Sequence, residues 1–138
     1  MILHAFTDGA SRGNPGESGI GVILKDEKGN VVFSESGFIG ITTNNIAEYT
    51  ALLTLLQRMN GIACSRLIVH SDSELMVRQL NGRYRVRDEN LKEYYRKVMT
   101  ILASAPFQYE VKHIPRSSNK DADRLANLGI DARTPMKV

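Results

Sequence analysis

The stretch Ile2-Leu3-His4-Ala5-Phe6-Thr7-Asp8-Gly9-Ala10-Ser11-Arg12-Gly13-Asn14-Pro15-Gly16 decides how the chain is read. Residues 2–7 are an apolar run of strand length, and they stop at an acid. Residues 9–16 are dense in Gly, Asn and Pro, the composition of a turn. A buried strand that delivers a carboxylate at its C-terminal end is what an α/β sheet offers to a ligand, because ligands bind beyond those ends. The pattern recurs once: residues 66–71 form a short apolar run that ends at Asp72.

Outward from there, residues 19–25 and 31–39 read as two strands. Asp26-Glu27-Lys28-Gly29-Asn30 between them has hairpin-loop composition. Residues 44–59 read as a helix, with Leu52, Leu55, Leu56 and Met59 at helical spacing and Thr43 or Asn44 as its cap. Ser73 is a plausible N-cap for a helix to Leu80. Residues 91–103 form an amphipathic helix, stopped before Pro106, and residues 107–114 alternate as a strand. The last helix runs from about Lys120 to Ile130. The order β-β-β-α-β-α-α-β-α predicts a mixed five-stranded sheet with helices on both faces. One catalytic domain over residues 1–131 and a short polar tail, 132–138, are expected.

The 138 residues suffice for one buried core. No apolar run reaches the roughly 20 residues that a membrane span needs. The first six residues lack the basic and cleavage features of a leader and read as a strand. A single cysteine, Cys64, cannot form an internal disulfide, which fits a reducing, cytoplasmic setting. Its surroundings carry no nucleophile pattern, and His4 and His70 fall inside strand runs as packing residues. The net charge of +3 is compatible with a polyanionic partner without requiring one.

The carboxylates carry the chemistry. Glu48 lies four residues before Leu52, on the core-facing stripe of its helix and in its first turn. A buried, unpaired carboxylate costs several kcal/mol, although a helix-start acid can also be a solvated partner of the macrodipole. Asp8 and Asp72 can each be a turn former or cap. Asp123 shares an inward face with Ala126 and Ile130, whereas Asp121 lines up with Leu125 and Leu128; periodicity does not separate them. If four acids from two strand ends and two helix starts converge, they repel one another unless cations hold them. All-oxygen ligation selects hard ions such as Mg²⁺ or Mn²⁺, and a two-metal carboxylate site suits in-line phosphoryl chemistry.

Four blocks bear on this: Thr7-Asp8-Gly9-Ala10 with Gly13-Asn14-Pro15-Gly16; Thr42-Thr43-Asn44-Asn45-Ile46-Ala47-Glu48; Ser71-Asp72-Ser73; and Asn119-Lys120-Asp121-Ala122-Asp123-Arg124-Leu125-Ala126. Together, and in this order, they resemble the type-1 ribonuclease H family over about residues 1–130. The resemblance implies an RNase H-like fold and an endonuclease that cuts the RNA strand of RNA–DNA hybrids, leaving a 3′-hydroxyl and a 5′-phosphate. It implies two Mg²⁺ ions, with Mn²⁺ as a substitute, on Asp8, Glu48, Asp72 and Asp123. It also selects Asp123 over Asp121, because the family's last acid directly precedes an Xaa-Leu-Ala step. Asn14, Asn44 and Asn45 match positions that contact the hybrid, mainly at the 2′-hydroxyls that distinguish RNA from DNA. Thr43 matches a position that binds a DNA-strand phosphate. A monomer without a membrane partner is expected.

The chain departs from many bacterial members of that family. It has no Trp, and only about ten residues separate Leu80 from Leu91, too few for the long basic protrusion. It resembles the shorter, protrusion-free branch. Arg83, Arg85 and Arg87 alternate with Tyr84 and Val86, so an extended segment would put three guanidiniums on one side. Ile41 stands where some relatives have an arginine near the phosphate pocket. For the fifth participant two residues compete. His113, ten residues before Asp123, suits the family's mobile catalytic histidine, whereas in short-loop relatives Arg116 takes the loop role.

Overall fold

The apolar runs pair into one sheet, and the sheet's registers set out the site. In the computed structural model, which describes residues 1–133, β1 (Ile2–Gly13), β2 (Gly16–Lys25) and β3 (Val31–Thr42) form an antiparallel meander. Then come α1 (Asn44–Arg58), β4 (Arg66–Ser71), α2 (Glu74–Leu80), α3 (Glu89–Ala103), β5 (Gln108–His113), a 3₁₀ turn at Arg116–Ser118, and α4 (Lys120–Ala132). The strand order is β3-β2-β1-β4-β5, with β4 parallel to both β1 and β5. This is the mixed five-stranded α/β sheet expected.

Helices cover both faces, and glycines decide how closely. A Cβ on Gly9 would overlap the backbone of Ala47 and Glu48 in α1. A Cβ on Gly21 would overlap the backbone of Ala122 and Ala126 in α4. Between sheet, α1 and α3 lies the main core, with Leu3, Ala5, Leu52, Leu55, Leu67, Val69 and Val98 fully buried. Burying each of these leucines and valines contributes about 1.5–3 kcal/mol.

Three boundaries differ from the sequence reading for one reason. β1 does not end at Asp8 but continues through the Gly-rich stretch to Gly13, and the turn shrinks to Asn14-Pro15. The ladder to β2 is unbroken from His4↔Lys25 to Gly13↔Gly16, so backbone pairing overrides turn composition. For the same reason β2 begins at Gly16 rather than residue 19, and β3 runs to Thr42 rather than 39. α3 begins two residues early because Asp88 caps it, accepting the Leu91 N–H at 3.0 Å. α4 continues past Ile130 through residues 131 and 132, so it takes in the first residue of the expected tail. The rest of that tail, 134–138, lies outside the described residues.

Candidate active site

Asp8 and Asp72 meet where the sheet forks. The parallel pairing of β1 with β4 ends at Thr7↔Ser71. Each strand's next residue is an acid: Asp8 still paired to Gly21 of β2, Asp72 leading into α2. β4 leaves the sheet there, so space opens beside β1. Ser73 caps α2, accepting the Met76 N–H at 3.3 Å, which fixes the turn that carries Asp72.

Glu48 enters from α1. It opens the second helical turn, not the first as its sequence position implied, since Asn44 begins the helix. A favourable dipole at the helix start therefore does not account for it. It is 4% exposed. Its Oε1 accepts the Gly9 N–H at 2.6 Å, and its Oε2 is buried with no partner among the described residues. Carboxylate oxygens of Asp8, Glu48 and Asp72 lie within 4.8 Å of one another. Asp123, in the first turn of α4, faces the same open pocket of about 420 Å³, whereas Asp121 is exposed and pairs with Arg124 at 3.6 Å.

Such crowding is unfavourable for bare carboxylates. Burial, then the charge and proximity of Glu48, then the nearby Asp72 and Asp123 push the Asp8 carboxyl far above the usual range. Burial also raises Glu48, partly offset by the facing Asp8 carboxyl and the Gly9 amide. An orphaned buried oxygen and a carboxyl that resists ionisation fit a site made for hard divalent cations. Asp8, Glu48, Asp72 and Asp123 are the residues that could hold them.

The other predicted residues divide. Thr43, not Asn44, caps α1, accepting the Ile46 N–H at 3.3 Å. Asn44 is left exposed at the pocket, and its own N–H donates to Asn14 Oδ1 at 3.1 Å, tying the β1–β2 turn to α1. Asn45 is exposed beside it. Arg116, on the 3₁₀ turn, lines the pocket with its Nη2 3.8 Å from Asp123 Oδ1. His113 is not brought into the pocket. It is the exposed last residue of β5 and lines a separate groove with Glu74, Val77, Arg78, Asn81 and Arg83. Ile41 is 76% exposed near the end of β3.

The Arg83, Arg85 and Arg87 segment is neither strand nor helix, and Val86 anchors it in the core. Arg83 and Arg85 line a larger groove of about 860 Å³ with Lys92 and Arg96 of α3; Arg87 is not among its lining residues. That groove holds no carboxylate and no candidate chemistry, but it is basic. Between Arg78 and Lys97 the sequence holds seven basic and three acidic residues, a local +4 against +3 for the whole chain. His4 and His70 pair with each other at 3.1 Å, and His70 stacks on Phe6, consistent with packing roles. Cys64 packs partly buried against the core.

Sequence reasoning missed three residues here. Asn119, 2% exposed, donates from Nδ2 to the Thr7 carbonyl at 2.9 Å, bracing the start of α4 against the strand that carries Asp8. Asn127 and Arg12 also line the pocket. The spacing of Asn127, four residues after Asp123 on one helix face, was the only available signal.

A family described as reverse transcriptase-like matches residues 6–129. A ribonuclease HI of Halobacterium salinarum is 35% identical over 94% of this chain and 64% of its own length. The bifunctional protein Rv2228c of Mycobacterium tuberculosis is 38% identical over 96% of this chain and 36% of its own. The chain thus spans less than two thirds of either relative. Among solved structures, LC11-RNase H1 in complex with an RNA/DNA hybrid superposes with a TM-score of 0.90. It is 43% identical and covers 95% of this chain, which covers 98% of it.

Proposed function

Because the chain belongs to the type-1 ribonuclease H family, we propose that it is an endonuclease hydrolysing the RNA strand of RNA–DNA hybrids, leaving a 5′-phosphate and a 3′-hydroxyl. The observation that carries this reading is the gathering of Asp8, Glu48 and Asp72 within 4.8 Å, with Asp123 on the same pocket. The four acids would hold two Mg²⁺ ions, or Mn²⁺ in their place. Bound there, divalent cations lower the pKa of the attacking water and neutralise charge on the leaving oxygen.

The chain's own residues supply the rest. Gly9 N–H and the close approach of α1 keep Glu48 aimed at the pocket. Asn44 lines the pocket, Asn14 accepts its backbone N–H and Asn45 follows it on α1; the three read the RNA strand's 2′-hydroxyls. Thr43 contacts a DNA-strand phosphate while capping α1. Ile41, apolar and exposed, adds no charge there. Arg116 takes the fifth position, because it lines the pocket and His113 does not. Its guanidinium assists at the scissile phosphate or product. The working unit is residues 1–131, acting as a monomer in a reducing cytoplasm; no helix among the described residues is long and apolar enough to cross a membrane.

The test is cleavage of end-labelled RNA–DNA, RNA–RNA and single-stranded RNA, each with Mg²⁺, Mn²⁺ or a chelator. Cutting of the hybrid with either ion and none with chelator is expected. Equal cutting of single-stranded RNA, or activity that survives chelation, would overturn the reading.

The basic groove of Arg83, Arg85, Lys92 and Arg96 extends the positive surface for the hybrid's backbone. Replacing Arg83 and Arg85 together by Ala is expected to reduce the slope of log affinity against log salt by about 1–2. Hybrid-binding titrations between low and moderate salt check this. An unchanged slope would remove the groove from the binding surface.

A further inference from the structure

Asp123 differs from the other three acids in how it is held. Asp8, Glu48 and Asp72 crowd one another, and Glu48 is fixed by a backbone amide. Asp123 stands one helical turn into α4, and its contacts come from side chains. Asn127 Nδ2 lies 3.3 Å from Asp123 Oδ1 and also donates to the Asp123 carbonyl at 3.0 Å. Arg116 Nη2 approaches the same oxygen, Oδ1, at 3.8 Å from an exposed position.

An asparagine amide can point either way, and only one way lets it donate to a carboxylate. Here Arg12 sets the direction. Its Nη2 lies 3.4 Å from Asn127 Oδ1 and 3.5 Å from the Asn127 carbonyl. A guanidinium can only donate, so the Oδ1 end must turn toward it and the Nδ2 end toward Asp123. Arg12 is itself held by Asp131 one turn further along α4, with Nη1 to Oδ1 at 2.6 Å. β1 therefore reaches across to α4 through Arg12 and fixes the amide that fixes the acid. Both side chains line the pocket.

We propose that Asn127 is a positioning residue for Asp123, oriented by Arg12, and that the pair presents the fourth carboxylate to the cation site. The Asn127 bond falls on Oδ1, the same oxygen that Arg116 approaches. The inference deepens the nuclease reading and rests on it for its kinetic consequence, although the hydrogen-bond chain itself does not. A side chain that orients a metal-binding carboxylate typically changes affinity or activity about 10–100-fold when removed.

Asn127→Leu keeps the volume and removes the donor. It is expected to weaken Mn²⁺ binding, measured by calorimetry without nucleic acid, about 10-fold. It should lower kcat on a hybrid by a similar factor, with KM within about twofold, since the hybrid's own contacts remain. Arg12→Leu frees the amide to turn and should show the same pattern at a smaller size. A variant that only melts earlier, with Mn²⁺ affinity and kcat unchanged, would overturn the proposal. A second arm needs neither metal nor cleavage. In the full chain, Asp123→Asn should shift the Asn127 side-chain amide resonances, and Arg12→Leu should shift them as well. If those signals stay put, the chain from Arg12 through Asn127 to Asp123 is refuted, whatever the enzyme cuts. If instead they shift but the parent protein binds no Mn²⁺ and cuts no hybrid, the hydrogen-bond chain stands and the nuclease reading falls.

Discussion

Asp8→Asn is expected to abolish hybrid cleavage and, without metal, to make the protein more stable at pH 8. The two halves of that result have one cause. Asp8 sits 5% exposed among Glu48, Asp72 and Asp123, and its carboxyl is held well above the ordinary range by burial first and by the Glu48 charge second. In the metal-free folded state it keeps a proton that the unfolded chain has lost. Between the ordinary carboxylate value and the raised folded value, the folded state therefore binds more protons. Stability is then full at acid pH and falls as pH rises through that window. An asparagine has no proton to lose, so the difference between variant and parent should be small near pH 4 and should grow toward pH 8. With Mg²⁺ the order reverses: the ion stabilises the parent by mass action and the variant much less. Loss of one of the four proposed ligands should cost cleavage about 10³-fold, roughly 4 kcal/mol of transition-state stabilisation. Thermal melts in chelator across pH, and single-turnover cleavage, check both halves. A variant that still cuts well, or a variant-minus-parent stability that does not rise with pH, would sink the account of the acid cluster.

Gly9→Ala should be nearly as damaging from a position that carries no functional group. The added methyl would overlap the backbone of Ala47 and Glu48, which no rotamer change can relieve. α1 must retreat, and the Gly9 N–H to Glu48 bond lengthens with it. Overpacking against rigid backbone costs about 3 kcal/mol, and the retreat carries Glu48 away from Asp8. We expect a lower urea midpoint with an unchanged slope, together with cleavage reduced about 100-fold even where the variant is fully folded. Parent-like activity in the folded variant would mean that Glu48 does not depend on this contact.

Much of this was legible in the residues, and the failures are instructive. α1 was visible from its leucine spacing, and the inward face of Glu48 followed from Leu52 four residues on. β4 and Asp72 were visible because a short apolar run has a sharp end. β1 was cut short because Gly, Asn and Pro compose turns, whereas here Gly9 and Gly21 are present so that two helices can touch the sheet. That demand comes from elements far along the chain, and no local window contains it. Asp123 against Asp121 was undecidable from periodicity, since both helix faces carry apolar residues. In three dimensions only Asp123 meets the pocket. His113 had the right spacing for the site, but a strand end pairing with Ser71 holds it on another surface. The role argued for Asn127 depends on Arg12, which lies near the other end of the chain.

The fork at Thr7↔Ser71 also bears on when the protein becomes active. The β1–β2–β3 meander closes through short-range hairpins, and by itself it presents only Asp8. Asp72 arrives when β4 docks in parallel beside β1, a pairing that must close a long loop and is intrinsically slower than a hairpin. Asp123 arrives last in chain order, when α4 settles on the glycine seats of β2. A chain caught before β4 docks lacks the cluster of Asp8, Glu48 and Asp72, and one caught before α4 docks lacks Asp123. The four-acid set is therefore complete only with the final long-range closure, and on the proposed nuclease reading cutting power waits for it.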